Sequence, residues 1–173
     1  EGKIPANIQK DGPKVLWKAE VGIGCSSFTI ADGRAYTVGN KDDRDTLWCF
    51  DAKTGDVVWK KDYSEKLAAK FYDGGPGATP IVDEGLVYNL SKSGRLSCYD
   101  AKGGDEKWVV EFKDDLSGNM PTWGYSSSPV AYGEVLLCLP CSKKGAMVAL
   151  NKKTGKTVWS SSNGARPGYA APV

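Results

Sequence analysis

One phrase of about eleven residues occurs three times in this chain of 173 residues and constrains its fold more than any other feature. Each copy begins with an apolar pair, continues through a turn that holds an Asp or Asn and a Gly, and ends on a Trp, at residues 49–59, 98–108 and 149–159. A fourth tryptophan, Trp17, repeats only the end of the phrase, and the four tryptophans lie 42, 49 and 51 residues apart. A period of roughly 40 to 50 residues built from short strands is typical of propeller blades.

A second recurring piece precedes each phrase and completes the blade. It contains a short apolar run, a turn with a Gly and another apolar run, which is the pattern of a β-hairpin. The three hairpin pieces are residues 26–36, 78–88 and 127–136. Because each hairpin and each phrase supplies two strands, we predict an all-β chain of four-stranded antiparallel blades with the innermost strand first. The predicted blades are residues 26–63, 78–113 and 127–162.

The two ends of the chain resemble parts of a further blade. Residues 14–20 match an outer strand, and residues 169–173 match the start of an inner strand. Three blades with these two pieces do not close a ring, since propellers usually have about four to eight blades. We therefore expect a fragment of a longer β-propeller. Its open blade edges would pair with the remaining blades, with a protein partner or with a second copy of the chain.

Each distinctive position of the phrase has a structural explanation. The short acceptor side chain can bond backbone N–H groups of the turn. The glycine supplies a positive φ, and the tryptophan covers the apolar edge between one blade and the next. The residues predicted to have these structural roles are Trp17, Asp51, Gly55, Trp59, Asp100, Gly104, Trp108, Asn151, Gly155 and Trp159.

The composition excludes several classes of function. The chain contains no histidine, which excludes Ser-His-Asp and Cys-His catalysis and His-ligated zinc within it. The net charge is +2 and no basic run stands out, so nucleic-acid binding is not expected. No apolar stretch approaches the roughly 20 residues that span a bilayer. The N-terminus lacks the pattern of an export signal, so any such signal has been removed or is not included.

The five cysteines include two that the repeat explains. Cys49 and Cys98 occupy the position of Ala149 in the third phrase, which predicts small buried residues and not ligands. Cys138 and Cys141 form a C-x-x-C that follows a strand, whereas redox motifs of this spacing open a helix. Two unpaired structural thiols are the favoured interpretation, with a local disulfide and a metal site as alternatives.

Two further features have side chains of the kinds that bind metal ions. The acidic hairpin tip at residues 40–45 is rich in oxygen atoms, but Lys41 and Arg44 dilute its charge and the EF-hand spacing is missing. A solvated loop is favoured there. A zinc site at the C-x-x-C would need a second ligand pair that is not evident, although Cys25 could contribute one ligand. We therefore predict no metal site.

Three loops that precede innermost strands are the candidates for a ligand or partner surface, since such loops line the mouth of the central channel. They are residues 71–77, 121–125 and 166–169, and we expect them to converge on one face. Trp123 lies outside the repeated phrase. The structural alternatives are that it packs over the blade and that the glycines of 71–77 only form a turn. The candidate residues of this face are Phe71, Tyr72, Trp123, Tyr125, Arg166 and Tyr169.

The pattern Asp-Ala-Lys-Thr-Gly-x-x-x-Trp at residues 51–59 resembles the tryptophan-docking motif of quinoprotein-like, or PQQ-like, β-propellers. The resemblance covers essentially the whole chain. Gly103 departs from the usual Thr, and Asn151 from the usual Asp. The resemblance implies a propeller of about eight blades and export to the periplasm.

The resemblance implies two different functions, because enzymes and non-enzymes share the motif. PQQ-dependent alcohol and sugar dehydrogenases bind the quinone with a calcium ion, and an indole stacks on the cofactor, a role that would fall to Trp123. Assembly lipoproteins similar to BamB bind no quinone and act as protein-binding scaffolds. We favour a non-enzymatic scaffold without a cofactor. Part of a PQQ- and calcium-dependent dehydrogenase is the first alternative, and a redox or metal role at Cys138 and Cys141 is the second.

Overall fold

The repeated hairpins and phrases form three separate four-stranded sheets in the computed structural model. The structure describes residues 12–69, 72–143, 145–163, 169 and 171–172. Within these residues each sheet is an antiparallel meander whose strands pair in chain order. This is the all-β architecture of four-stranded antiparallel blades that the repeat predicts.

The three sheets are named blades 1, 2 and 3 in chain order. Blade 1 contains β1 (Thr29–Ala31), β2 (Arg34–Lys41), β3 (Arg44–Asp51) and β4 (Val57–Ser64). Blade 2 contains β5 (Ile81–Asp83), β6 (Leu86–Leu90), β7 (Arg95–Asp100) and β8 (Glu106–Glu111), followed by the helix α1 (Phe112–Asp115). Blade 3 contains β9 (Val130–Tyr132), β10 (Val135–Cys138), β11 (Val148–Asn151) and β12 (Thr157–Ser160). No helix among the described residues is long and apolar enough to cross a bilayer.

The strands predicted at the two ends of the chain stay predictions. Residues 14–20, predicted as an outer strand, have no strand pairing, and the first backbone pairing of the described chain is a single bridge between Ile23 and Asn40. An outer strand must pair with a third strand, and no described segment offers one to residues 14–20. Trp17 alone joins this segment to blade 1 by a side-chain hydrogen bond. The predicted inner strand at residues 169–173 lies partly outside the described residues, and its described part forms no strand.

The short acceptor side chain of each phrase closes its own turn. Asp51 Oδ1 accepts hydrogen bonds from the backbone N–H groups of Lys53 and Thr54, both at 2.9 Å. Asp100 and Asn151 accept the corresponding pairs at 2.9 to 3.1 Å. These backbone donors hold the pKa of the Asp51 and Asp100 carboxyls below the ordinary value.

The indole of a tryptophan covers each of the three turns. In every case Nε1 donates a hydrogen bond of 2.9 or 3.0 Å to the carbonyl oxygen of the residue after the Asp or Asn. The donor and acceptor residues are Trp17 and Ala52, Trp59 and Ala101, and Trp108 and Lys152. The ring lies on the turn glycine, and a Cβ added at Gly104 would lie 2.8 Å from the Trp59 ring. The turn therefore needs glycine both for its φ of 74° and for the space that the ring occupies.

The apolar core lies between neighbouring sheets. One buried cluster joins blades 1 and 2 and includes Tyr36 and Tyr99, and a second joins blades 2 and 3 and includes Tyr88 and Leu136. The small residues at the equivalent position of the three phrases are all fully buried, namely Cys49, Cys98 and Ala149. Each blade thus depends on its neighbour for much of its burial.

The outer face of blade 3 shows what the indole contact contributes. β12 is exposed along its whole length, and no carbonyl among the described residues accepts the indole N–H of Trp159. Trp159 is 44% exposed, whereas Trp59, which rests on the turn of blade 2, is 8% exposed. The contact with a following turn therefore accounts for the burial of these tryptophans.

The segments that lead into the innermost strands bond to one another. The backbone N–H of Ser27 donates to Thr79 Oγ1 at 3.0 Å, and the backbone N–H of Thr79 donates to Ser128 Oγ at 2.9 Å. These bonds place the loops before β1, β5 and β9 side by side at one end of the blades.

Candidate functional site

The loops before β5 and β9 are in direct contact at this end of the blades. Tyr72 Oη donates to the carbonyl oxygen of Trp123 at 3.2 Å, and the two rings meet edge to face with centroids 6.3 Å apart. The backbone N–H of Trp123 donates to Tyr169 Oη at 3.2 Å. One described residue from each of the three predicted loops therefore takes part in a single cluster. Tyr72, Trp123 and Tyr169 are together named the loop face.

The three rings of the loop face remain partly open to solvent. Tyr72 is 37% exposed, Trp123 is 42% exposed and Tyr169 is 46% exposed. Trp123 packs against Tyr72, but a large part of its surface remains accessible to solvent. Partly exposed aromatic side chains in one patch are the side-chain type enriched at protein interfaces.

The other residues predicted for this surface fall elsewhere. Tyr125 is buried, its hydroxyl donates to the carbonyl oxygen of Pro140 at 2.9 Å, and its ring meets Phe112 edge to face at 5.1 Å. It belongs to the core of blades 2 and 3 and lies beneath the loop face because its hydroxyl finds an internal acceptor. Phe71 and Arg166 lie outside the described residues.

A small cavity of about 170 Å³ opens beside the loop face. Its described wall combines three aromatic rings with three polar side chains, namely Tyr72, Trp123, Tyr125, Cys25, Lys92 and Ser126. No carboxylate lies on this described wall. The cavity is therefore aromatic and carries a positive charge.

Lys92 is the residue of this cavity that the sequence did not indicate. It lies in the turn that joins β6 to β7, where a lysine is ordinarily exposed, yet only 8% of Lys92 is exposed. Its Nζ donates to the carbonyl oxygen of Ala68 at 3.0 Å and lies 4.8 Å from the centroid of the Tyr72 ring. Gly124 leaves room for this side chain, since an added Cβ at Gly124 would lie 2.3 Å from Lys92.

A row of buried polar side chains crosses from blade 1 to blade 2. Asn40 Nδ2 donates to Asp45 Oδ1 at 2.7 Å, Tyr63 Oη donates to Asp45 Oδ2 at 3.2 Å, and Asn89 Nδ2 donates to Tyr63 Oη at 2.8 Å. Asp45 is fully buried, and burial raises the pKa of its carboxyl to about 6, although the hydrogen bonds and the charge of Lys92 act to lower it. The sequence did not indicate this row, because Asn40 and Asp45 belong to the hairpin tip that was predicted to be solvated, and Tyr63 and Asn89 come from other strands.

The C-x-x-C lies in a buried environment. Cys138 ends β10 and Cys141 lies in the segment that follows, and both are buried thiols. Burial raises the pKa of the Cys138 thiol well above its ordinary value. A buried thiol with a raised pKa is a poor nucleophile, so this environment favours a structural role.

A wider cleft of about 1190 Å³ lies beside the acidic hairpin tip. Its wall includes Asp42, Asp43, Arg44 and Trp48, and Arg44 forms an ion pair with the half-exposed Asp62. In the part of the chain that the structure describes, no three His, Cys, Asp or Glu side chains are grouped so that they could hold a metal ion. Because the open cleft carries both signs of charge, it does not select a class of ligand.

Comparisons with known proteins agree with the observed architecture. The sequence profile of a family described as outer membrane protein assembly factor BamB matches residues 1–172. A comparison with curated proteins finds no match. Among solved structures, a europium-containing methanol dehydrogenase matches with a TM-score of 0.64 at 14% identity. BamB from Moraxella catarrhalis matches with a TM-score of 0.52 at 22% identity. Quinohemoprotein alcohol dehydrogenase ADHIIG from Pseudomonas putida HK5 matches with a TM-score of 0.57 at 21% identity.

The matches to these three structures, in the same order, cover 84%, 83% and 82% of this chain. This chain spans only 26%, 38% and 21% of the length of the three matched chains. At identities this low, likeness of structure shows the fold alone. That fold is the β-propeller, as the repeat predicts, and the family profile extends over almost all of the sequence. The chain therefore belongs to the PQQ-like β-propeller family described as outer membrane protein assembly factor BamB.

Proposed function

We propose that this chain is a non-enzymatic binding scaffold of an exported PQQ-like repeat protein, and that the loop face binds a protein partner. The loop face carries the proposal, since three partly exposed aromatic rings from three loops are held together by hydrogen bonds. Such rings supply large contact areas with few rotatable bonds, and they dominate the energetics of many interfaces. The family description as an assembly factor supports this role.

Binding of PQQ with a calcium ion is the alternative that the dehydrogenase neighbours suggest. The cavity beside Trp123 measures about 170 Å³, which is smaller than the roughly 300 Å³ at the lower end of cofactor and ligand sites. The rings of Tyr72 and Trp123 are inclined by 66° and do not offer two parallel faces to a flat ring system. The described wall also lacks the carboxylate oxygens that calcium sites in proteins ordinarily use. The described residues therefore do not fit this cofactor by themselves.

Site-specific photo-crosslinking tests the scaffold proposal. A photoreactive phenylalanine at position 123 should crosslink to one partner protein in cells that make this protein. The same residue at position 132 should not, because Tyr132 is the last residue of β9, at the end of that strand away from the loop face. Tyr132 is 75% exposed, so it is a matched control for accessibility.

Rebinding of the purified partner completes the test. Trp123→Ala should weaken its binding by about tenfold or more, as for a central aromatic contact, and Tyr132→Ala should leave binding unchanged. Equal crosslinking at the two positions, or equal affinity of the two variants, would show that the loop face is not the binding surface.

A further inference from the structure

The cavity beside the loop face has room for one small chemical group. Its volume of about 170 Å³ equals roughly six water molecules of the liquid. Tyr72 and Trp123 belong both to the loop face and to the cavity wall, so a partner held by these rings has direct access to the cavity.

Lys92 brings a buried positive charge to this cavity. Its Nζ donates to the carbonyl oxygens of Ala68 at 3.0 Å and Leu67 at 3.4 Å and faces the Tyr72 ring. Among the described residues no Asp or Glu oxygen is within ion-pair distance of it. The Asp45 carboxylate interacts with this charge from a distance, but its own hydrogen bonds come from other residues. A buried cation without a contacting counter-ion is unfavourable, and an anion in the cavity would supply one.

The remaining polar side chains of the described wall are also hydrogen-bond donors. Ser126 and Cys25 line the cavity, and neither the hydroxyl nor the thiol forms a hydrogen bond with a described group. A hydroxyl is a donor as well as an acceptor, and a thiol is a weak donor. Together with the Lys92 ammonium they favour a ligand that only accepts hydrogen bonds. A carboxylate is such a ligand, and it is small enough for the cavity.

We propose that the cavity receives the C-terminal carboxylate of a peptide, while the rings of the loop face hold its last side chains. This inference rests on the proposed function, because it specifies the chemistry of the partner at the same surface. The end of a chain can enter a narrow cavity while the side chains next to it stay outside on Tyr72 and Trp123. Capture of a C-terminal carboxylate by converging donors is an established mode of peptide recognition.

Calorimetric titration of the protein with three short peptides tests the proposal. The probes are acetyl-Gly-Gly-Phe as the free acid, the same peptide as its C-terminal amide, and acetyl-Gly-Asp-Phe amide, whose carboxylate is in a side chain. The free acid should bind at least tenfold more tightly than its amide, and the Asp peptide should bind as weakly as the amide. Lys92→Met should abolish the advantage of the free acid. Lys107→Met, which removes an exposed lysine of β8, should preserve it.

Each contrary result has its own meaning. Equal binding of the acid and the amide, or failure of the free acid to bind, would overturn the carboxylate proposal. Equal binding of the Asp peptide and the free acid would overturn its specificity for a C-terminus. None of these results decides whether the loop face binds a partner, which crosslinking at position 123 decides separately. Should Lys92→Met fail to fold, the comparison of the free-acid peptide with its amide still tests the proposal on the unmodified protein. Ser126→Ala should then reduce the difference between the two affinities several-fold.

Discussion

Two regions of the molecule contain the same three types of side chain, a tryptophan, a tyrosine and a buried lysine, and use them differently. Between blades 2 and 3, the rings of Trp108 and Tyr88 lie 5.9 Å apart, and both side chains donate to the carbonyl oxygen of Lys152. The Lys152 ammonium pairs with Asp83 and Glu84. Each of the three side chains thus bonds within the protein and stabilises the contact between blades.

At the loop face and in the cavity beside it, the corresponding side chains keep ring surface or charge that a partner can contact. The rings of Tyr72 and Trp123 are partly exposed, and the Lys92 ammonium contacts carbonyl oxygens but no carboxylate among the described residues. The surroundings of a side chain, and not its type, decide whether it stabilises the fold or can bind a partner. We therefore expect substitutions between blades to change stability, and substitutions at the loop face to change binding.

Trp108→Ala should give the largest effect on stability. Loss of the indole removes its packing against Tyr88 and the turn of blade 3, and we expect the free energy of unfolding to fall by about 3–5 kcal/mol. Trp123→Ala should lower it by less than about 1 kcal/mol, because this ring is 42% exposed. Urea denaturation of the two variants measures both values, and equal losses would contradict the distinction between the two regions.

Asp45→Asn should stabilise the protein at neutral pH, because Asp45 holds a buried charge. Its pKa is about 6 in the folded protein, against an ordinary value of 3.8, so the folded state binds this proton more tightly than the unfolded state. The stability that protonation contributes is fully present below a pH of about 4 and is lost as the pH rises through about 6. We expect Asp45→Asn to raise the free energy of unfolding at pH 7.5 by roughly 1–2 kcal/mol, because the gain of roughly 3 kcal/mol from removing the buried charge is partly offset when an amide NH2 group replaces one of the two oxygens that accept hydrogen bonds.

Urea denaturation at several pH values checks the sign of this effect. The difference between Asp45→Asn and the unmodified protein should be largest above pH 6 and should shrink towards a pH of about 4. Asp105→Asn, at an exposed position, is the control. Lys92→Met should raise the pKa of Asp45 further, since the charge of Lys92 lowers it. A difference that does not change with pH would exclude Asp45 as the titrating group.

Lys152→Met and Lys92→Met compare the two buried lysines directly, and their expected effects on the free energy of unfolding are the smallest. We expect Lys152→Met to lower the free energy of unfolding by about 1–2 kcal/mol, because the side chains of Asp83 and Glu84 are 34% and 58% exposed and solvent weakens the ion pairs. Lys92→Met should change it by less than about 1 kcal/mol, since apolar burial offsets the lost carbonyl contacts. Urea denaturation at low and high salt separates them, as only the ion-paired lysine should show a salt-dependent loss. A greater loss at Lys92 would assign it a structural role.

The sequence predicted the blades because each copy of the phrase contains the chemistry of its own turn. Each repeat forms one four-stranded sheet, and the predicted acceptor side chains close all three turns. The outer strand at residues 14–20 stays a prediction, because no described segment supplies the neighbouring strand with which it would pair. Pattern alone does not show whether that neighbour is present.

The candidate site could be predicted only in part. The position of Trp123 outside the repeat indicated a separate role, and the topology placed its loop beside that of Tyr72. The burial of Tyr125 could not be foreseen, because its hydroxyl bonds to Pro140, which belongs to a different segment. Lys92 was missed because lysines after a strand are ordinarily exposed.

The sequence by itself determined the β-propeller blades and their turns, and only the tertiary structure decided which charged groups are buried. A turn such as that of Asp51 depends on hydrogen bonds to residues two and three positions away, so its chemistry is local. The environments of Asp45 and Lys92 depend on Tyr63 and on the segment at residues 67–68, which the chain brings to them from other strands and loops. Burial of a charge is a property of its surroundings, and those surroundings exist only after the blades have packed together.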